Sequence, residues 1–225
     1  MHKLISKRLF LCLLGCFLAV QAHAQFWTGL KFGTTFYQPK TEFAQDFPRA
    51  GLELGVTTKF HIKQSGWRIM PEFGYFMGNA NVVLNPTSLD GAYFGIDPAL
   101  VTQSNLLMHN LKFGLYAEKA LGNKEVFTVF FGPEVFNNLG QTHVIRYRVP
   151  GGGDEPIQET FSGDISGVPD WYVNFRYGAA FRVAPQASTI WQVYVSLIHQ
   201  ADVQPWWPAG AVIGLKGYFP ALFRR

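Results

Sequence analysis

Eight stretches of this chain alternate residue by residue between two faces, and within their cores every charged residue falls on one of those faces. A β-strand sends successive side chains to opposite sides, so strict period-two alternation is a strand signal. Phe26–Tyr37 sets Leu30, Phe32 and Phe36 against Gly29, Lys31 and Gly33. Ala50–Ile62 sets Leu52, Leu54 and Val56 against Glu53, Gly55 and Lys59, and Gly66–Gly78 sets Ile69, Phe73 and Tyr75 against Arg68, Glu72 and Gly74. Leu106–Lys119 sets Leu111, Phe113 and Leu115 against Lys112, Gly114 and Glu118, and Glu125–Phe136 sets Phe127 and Phe131 against Gly132 and Glu134. Trp171–Val183 opposes Val173, Phe175, Tyr177 and Phe181 to Arg176, Gly178 and Arg182. Thr189–His199 opposes Val193 and Val195 to Gln192 and Ser196, and Ala209–Phe219 opposes Ile213 and Leu215 to Gly214 and Lys216. A soluble sandwich would turn its charges to water and its apolar face to the core, but its strands are usually about 5–6 residues long. The longer stretches here fit strands that cross a bilayer with an apolar exterior, where a Lys or Arg at mid-depth costs roughly 2–4 kcal/mol.

The connections sharpen that reading. Gln38–Arg49, Asn79–Asn105, Asn137–Asp170 and Gln200–Pro208 are long or irregular; Lys63–Ser65, Ala120–Lys124 and Ala184–Ser188 are tight. Outer-membrane barrels place short turns at the periplasm and long loops outside. The expected fold is therefore all-β: an eight-stranded antiparallel up-and-down transmembrane β-barrel in the cell outer membrane. An even strand number leaves both termini periplasmic.

The amino terminus agrees. Lys3, Lys7 and Arg8 precede the apolar run Leu9–Val20, and Ala22-His23-Ala24 is a small-x-small cleavage site. This reads as a signal peptide over 1–24, with the barrel domain over 25–225, because the apolar run is too short for a membrane helix. A lipoprotein reading, with Leu13-Leu14-Gly15-Cys16 as lipobox, suits Leu14 poorly and would strand Phe17–Val20 in the mature chain. Cys12 and Cys16 both lie inside the signal, so no cysteine remains for a disulfide or a metal site. Three cations leave with the signal, so the formal charge falls from +4 to +1 and no nucleic-acid partner is expected.

Eight strands enclose an interior just wide enough for side chains. Four carboxylates, Glu53, Glu72, Glu118 and Glu134, face seven cations there: Lys31, Lys59, Arg68, Lys112, Arg176, Arg182 and Lys216. Buried charges must pair, so a lumenal ion network is expected among Lys31, Glu53, Glu72, Lys112, Glu134 and Arg176, with Glu72 as its anionic hub. Such a network closes the lumen rather than opening a pore. Pro71 and Pro133 fall inside strands, where they cannot donate to the ladder, and predict a bulge or bend at each. Trp27, Trp67 and Trp191 fall near one set of strand ends and Trp171, Trp206 and Trp207 near the other, as interfacial girdles require.

Several short motifs resemble a known family. Gly29-Leu-Lys-Phe-Gly33, Met70-Pro-Glu-Phe-Gly-Tyr75, Phe131-Gly-Pro-Glu134 and Gly214-Leu-Lys-Gly-Tyr-Phe219 are similar to the PorT-like outer-membrane β-barrel family. The resemblance implies an eight-stranded barrel in a Bacteroidota-type outer membrane, with a role in secretion machinery for a few members. Met108-His109 stands where the family often has a proline, and the chain continues past Phe219 to Arg224-Arg225.

The search for chemistry yields little. An outer-membrane lipid hydrolase would need a serine two residues after His199, where this chain has Ala201, and Ser196 falls on the opposite face from His199. His61, His143 and His199 lack metal-ligand spacing, Gly151-Gly-Gly-Asp154 precedes no helix, and the Asp154-Glu155 pair is a poor calcium signal, so neither metal nor cofactor is expected. Thr142–Val149 alternates and could extend strand five above the membrane, with Arg146 and Arg148 as candidates for outer-loop contact with lipopolysaccharide phosphates or an acidic partner. Val82-Val-Leu84 and Ala92-Tyr-Phe94 are apolar enough to pack over the barrel mouth. The expected function is non-enzymatic: a scaffold, surface-binding or secretion-associated outer-membrane component. It would sit among outer-membrane lipids and lipopolysaccharide and could meet an envelope protein through its outer loops. A small transport channel is the alternative, and a lipid hydrolase the weaker one.

Overall fold

The computed structural model describes residues 26–37, 44–62, 65–82, 96–122, 126–149, 155–163, 170–183, 189–201 and 208–220. The signal segment 1–24, Val83 to Leu84, Ala92 to Phe94, Gly151 to Asp154, Trp206, Trp207 and Arg224-Arg225 lie outside the described residues. Nine strands occur among those described: β1 Phe26–Tyr37, β2 Ala44–His61, β3 Trp67–Val82, β4 Val101–Leu121, β5 Phe127–Tyr147, β6 Ile157–Gly163, β7 Trp171–Arg182, β8 Ile190–Gln200 and β9 Gly210–Pro220. Each of the eight expected strands is present. β6 is additional and pairs with β5 outside the ring.

Every pairing is antiparallel, and β1 closes on β9, giving a ring β1-β2-β3-β4-β5-β7-β8-β9. The stagger of this ring can be read from its register. Phe26 pairs with Phe60, Phe60 with Ile69, Ile69 with Ala117, Ala117 with Phe131, Phe131 with Tyr177, Tyr177 with Leu197, and Leu197 with Ala211. Ala211 pairs with Phe36, so one circuit returns to β1 ten residues above its start. With about 3.3 Å per residue and about 4.8 Å between strands, that stagger tilts the strands by about 40° and sets a backbone radius of roughly 8 Å. Such a radius admits side chains and little else.

The faces divide as the alternation requires. Leu30, Phe32, Phe73, Leu115, Phe131, Val173, Phe181, Val195 and Ile213 are all exposed on the outside, while Lys31, Glu53, Glu72, Lys112, Glu134 and Arg176 are buried inside. The polarity of a soluble protein is inverted. Among the described residues no helix is long and apolar enough to cross a membrane.

At the prolines the expected bulge is absent. On the β2 side the ladder skips Pro71, but Thr57↔Glu72 and Phe60↔Ile69 keep one register across the gap. On the β4 side it skips Pro133, and Gly114↔Glu134 and Ala117↔Phe131 again share one register. Neither proline makes a bulge. Each side chain points outward, so the missing N–H costs one ladder bond in one seam without forcing an extra residue into the strand. The register shifts lie higher, in β2 between Arg49 and Leu52 and again between Ala44 and Pro48, and at the β4–β5 seam between Val101 and Gln103 and beside His109↔Gly140 and Asn110↔Asn138, where Leu139 is the extra residue.

At one pole the strands are joined tightly. Ile62 N donates to the Trp67 carbonyl (3.0 Å), and Gly66 takes a positive φ of 69° that a Cβ would disfavour. At the other pole the ring is uneven. β1, β7, β8 and β9 stop, while β2, β3, β4 and β5 continue and β6 joins them. These five strands form a wall on one side of the mouth. Its base is pinched where Asn138 N and Asn137 Nδ2 both donate to the Asp170 carbonyl, at 2.8 and 3.2 Å.

Candidate functional site

Each of the six charged residues expected at the centre of the lumen stands opposite a glycine on a neighbouring strand. Lys31 pairs with Gly55, Glu53 with Gly33, Glu72 and Glu134 with Gly114, Lys112 with Gly74, and Arg176 with Gly132. A long polar side chain can then lie across the lumen over a neighbour that has none. The close approach is literal at Gly33, where an added Cβ would fall on the Tyr194 hydroxyl.

The structure brings all six together. Lys31 Nζ lies 3.0 Å from Glu53 Oε1 and 2.7 Å from Glu72 Oε1. Lys112 Nζ contacts Glu53 and Glu72 and lies 3.7 Å from Glu134 Oε1. Arg176 spans Glu53 (Nη1 to Oε1, 2.9 Å) and Glu134 (Nε to Oε1, 2.5 Å). Three cations meet three carboxylates, so the cluster is neutral while every member is buried. That balance is what lets a polar network survive out of water, where an unpaired charge would be expensive.

The hub sits elsewhere than expected. Glu72 takes Lys31 and Lys112, whereas Glu53 takes Lys31, Lys112 and Arg176 and also accepts from the Tyr194 hydroxyl at 3.0 Å. The stagger decides this, because Glu53 reaches cations on β1, β4 and β7 at one height. Tyr116 likewise donates to Glu134.

A second, lower layer holds Lys59, whose Nζ lies 2.7 Å from Glu118 Oε1 and donates to Gln192 Oε1 at 3.0 Å. Arg68 Nη1 reaches the same Glu118 oxygen at 3.2 Å, and Lys59 sits 4.0 Å above the Tyr218 ring. Lys216 lies against the Phe130 ring at 4.2 Å and the Tyr194 ring at 4.8 Å.

Above the ion cluster is a layer that reasoning from charges missed. Tyr37, Phe76, Phe136 and Tyr172 pack ring on ring, with centroids 5.3 Å apart for Tyr37–Phe76, 4.8 Å for Phe76–Phe136 and 5.2 Å for Phe136–Tyr172. Tyr172 also donates to Asn110 Oδ1 at 3.0 Å. Their strand parity was the available signal: Phe76 shares it with Glu72, Phe136 with Glu134, and Tyr172 with Arg176. Aromatic, ionic and again ionic layers thus fill the lumen from the mouth downward.

The wall has its own two faces. Ile96 and Ile145 are buried on the inner side against Val101, Tyr147 and Phe161. Ser104 Oγ and His143 Nε2, 2.5 Å apart and buried, tie β4 to β5 there. On the outer side Arg146 is exposed; its Nε donates to Gln158 Oε1 at 2.9 Å. Arg148 lies just past β5, exposed, with its amide donating to the Leu100 carbonyl at 3.0 Å.

The outward histidines are paired with tyrosines at the rim. His199 Nε2 is 3.0 Å from the Tyr177 hydroxyl and stacks on its ring, and His109 meets Tyr75 in the same way. Ser196 is buried in the lumen, so it and His199 occupy opposite faces of β8. Among the described residues no three His, Cys, Asp or Glu side chains are grouped to hold a metal.

No family model matches the chain, and no curated protein matches it in sequence. Solved structures of similar outline include the attachment invasion locus protein Ail of Yersinia pestis, at 10% identity over 87% of this chain and 98% of that one, with a TM-score of 0.42. Neisserial surface protein A is 8% identical over 87% of this chain and 96% of its own, with a TM-score of 0.41. The N-terminal β-barrel domain of Pseudomonas aeruginosa OprF is 10% identical over 88% and 100%, with a TM-score of 0.37. The eight-strand ring described here rests on its own strand pairing.

Proposed function

We propose that this chain is a non-enzymatic integral barrel of an outer membrane, sealed through its centre, which works through its wall as a scaffold, surface-binding or secretion-associated component. The observation that carries the reading is the inverted polarity, an apolar exterior around a neutral network of buried ions. A bilayer is the solvent in which that arrangement is stable. Trp27 pairs with Pro220, so both ends of the ring lie at the pole of the tight turns, and we assign that pole to the periplasm. The wall then stands on the outside, where β6 offers to an envelope protein partner an edge that is unpaired among the described residues.

Three filled layers support a plug over a channel. The separation of Ser196 from His199 argues against the hydrolase. The test is to fractionate native envelopes, purify the protein in mild detergent, and determine its size and companions by mass spectrometry. Recovery from the outer-membrane fraction with a stoichiometric partner supports the machine component; a heat-modifiable monomer supports the self-sufficient surface barrel. Recovery in a soluble fraction overturns the membrane reading. A steady single-channel conductance overturns the plug.

A further inference from the structure

The outward face of the wall carries two arginines with no carboxylate on either among the described residues. Arg49 is turned outward by the β2 bulge between Arg49 and Leu52, and Arg146 points the same way from β5, opposite Gln103 and Gln158. The Gln103 carboxamide stands between the two guanidinium groups. With its oxygen toward Arg49, it lies 2.5 Å from Arg49 Nη1, 3.1 Å from Nη2 and 2.8 Å from Asn105 Nδ2. With its oxygen the other way, it accepts only from Arg146 Nη1 at 3.4 Å. One amide oxygen cannot serve both sides, so the Arg49 orientation leaves Arg146 with Gln158 and unfilled donors. Two planar, always-charged forks converge on a neutral amide with no anion among the described residues, and a phosphate matches their geometry.

The position of the pair says where that phosphate comes from. Along β4 the outward residues run from Leu115, Phe113 and Leu111 through His109 and Leu107 to Asn105 and Gln103. The apolar belt ends near His109, and Asn105 stands about 10 Å higher, given about 3.3 Å per residue and the strand tilt. That height is above the acyl chains but on the same outward surface, where the lipid headgroups pack around the barrel. We propose that Arg49 and Arg146, positioned by Gln103, form a site for the phosphate of an anionic glycolipid of the outer leaflet, one with phosphorylated sugars such as lipopolysaccharide. The inference rests on the outer-membrane placement.

The test uses the full-length barrel, purified in detergent and checked for heat-modifiable mobility. Native mass spectrometry would titrate it with a bisphosphorylated, deep-rough lipopolysaccharide and with the same glycolipid after enzymatic dephosphorylation. The expected result is at least a tenfold preference for the phosphorylated form, abolished in the Arg49→Gln/Arg146→Gln double variant. Gln103→Glu, which supplies the missing anion in place, should abolish it as well. Both variants lie at or above the top of the ring, and retained heat modifiability shows that the barrel has folded. Equal binding of the two glycolipids by the native protein, or a preference unchanged in the double variant, overturns the site. Competition by millimolar inorganic phosphate as effective as that by the glycolipid overturns the lipid source. Envelope fractionation keeps the two readings apart: a barrel found in the outer membrane without the preference loses only this site.

Discussion

Glu53 is the residue on which most of the lumen depends. Its carboxylate takes Lys31, Lys112, Arg176 and the Tyr194 hydroxyl, more partners than Glu72 or Glu134 has. Removing one partner of a buried ion pair typically costs about 3–5 kcal/mol because a buried charge is left uncompensated, and without Glu53 three buried cations would share only Glu72 and Glu134. Glu53→Gln should therefore lower stability by that order in urea unfolding from lipid vesicles, and by more than Glu72→Gln, which removes ion contacts to two cations rather than three. The reverse order would return the hub to Glu72. Gly33 carries a prediction of a different kind. A Cβ there falls on the Tyr194 hydroxyl, so Gly33→Val should cost about 1–3 kcal/mol by overpacking. Pairing it with Tyr194→Phe, which vacates the space, should recover part of the loss; additive losses would show that the clash lies elsewhere.

At the scale of elements, the apolar belt and the wall make separate claims. Phe73 and Leu115 are exposed on the outer face at the height of the ion cluster. Phe73→Arg should cost roughly 2–4 kcal/mol in a bilayer. The same substitution at Val149, exposed beyond the end of β5, should cost almost nothing. Equal costs at the two positions would mean that no bilayer surrounds the ring. The wall above Asn138 is pinched off at Asp170 and contributes no strand to the ring. Replacing residues 139–169 by a short turn should thus leave heat-modifiable mobility intact while removing any partner captured through β6. Loss of folding would show that the wall nucleates the barrel. The strands themselves were legible: β1 matches its expected span, and β7, β8 and β9 match within a residue at each end. β2, β3 and β4 run past their expected ends, and β5 extends upward through Thr142–Tyr147 as its alternation suggested; in β2 the bulge between Arg49 and Leu52 breaks the period-two signal. β6 was not visible at all. Its Gln158, Thr160 and Ser162 share one face, but Glu159 interrupts Ile157 and Phe161 on the other, and the strand pairs along β5.

For the whole molecule, the three lumenal layers predict that the reconstituted protein inserts into planar bilayers without conductance steps. Steps that persist in several preparations would overturn the plug. The stagger of ten residues matters here, since a barrel with the same eight strands and a different stagger would bring other heights together and scatter the charges now joined at Glu53. The wall rises on one side because β2 to β5 continue upward and still pair with one another there.

Alternation, charge parity and connection length were enough to specify an eight-strand barrel with polar residues within, because each is a local property of the chain and the closed ring is its simplest solution. They also picked out Lys31, Glu53, Glu72, Lys112, Glu134 and Arg176 as inward-facing. Which carboxylate joins which cation, that Tyr37, Phe76, Phe136 and Tyr172 roof the cluster, and that Arg49 meets Arg146 across Gln103 depend on register between strands far apart in sequence. Parity is written residue by residue, but stagger exists only once the ring has closed.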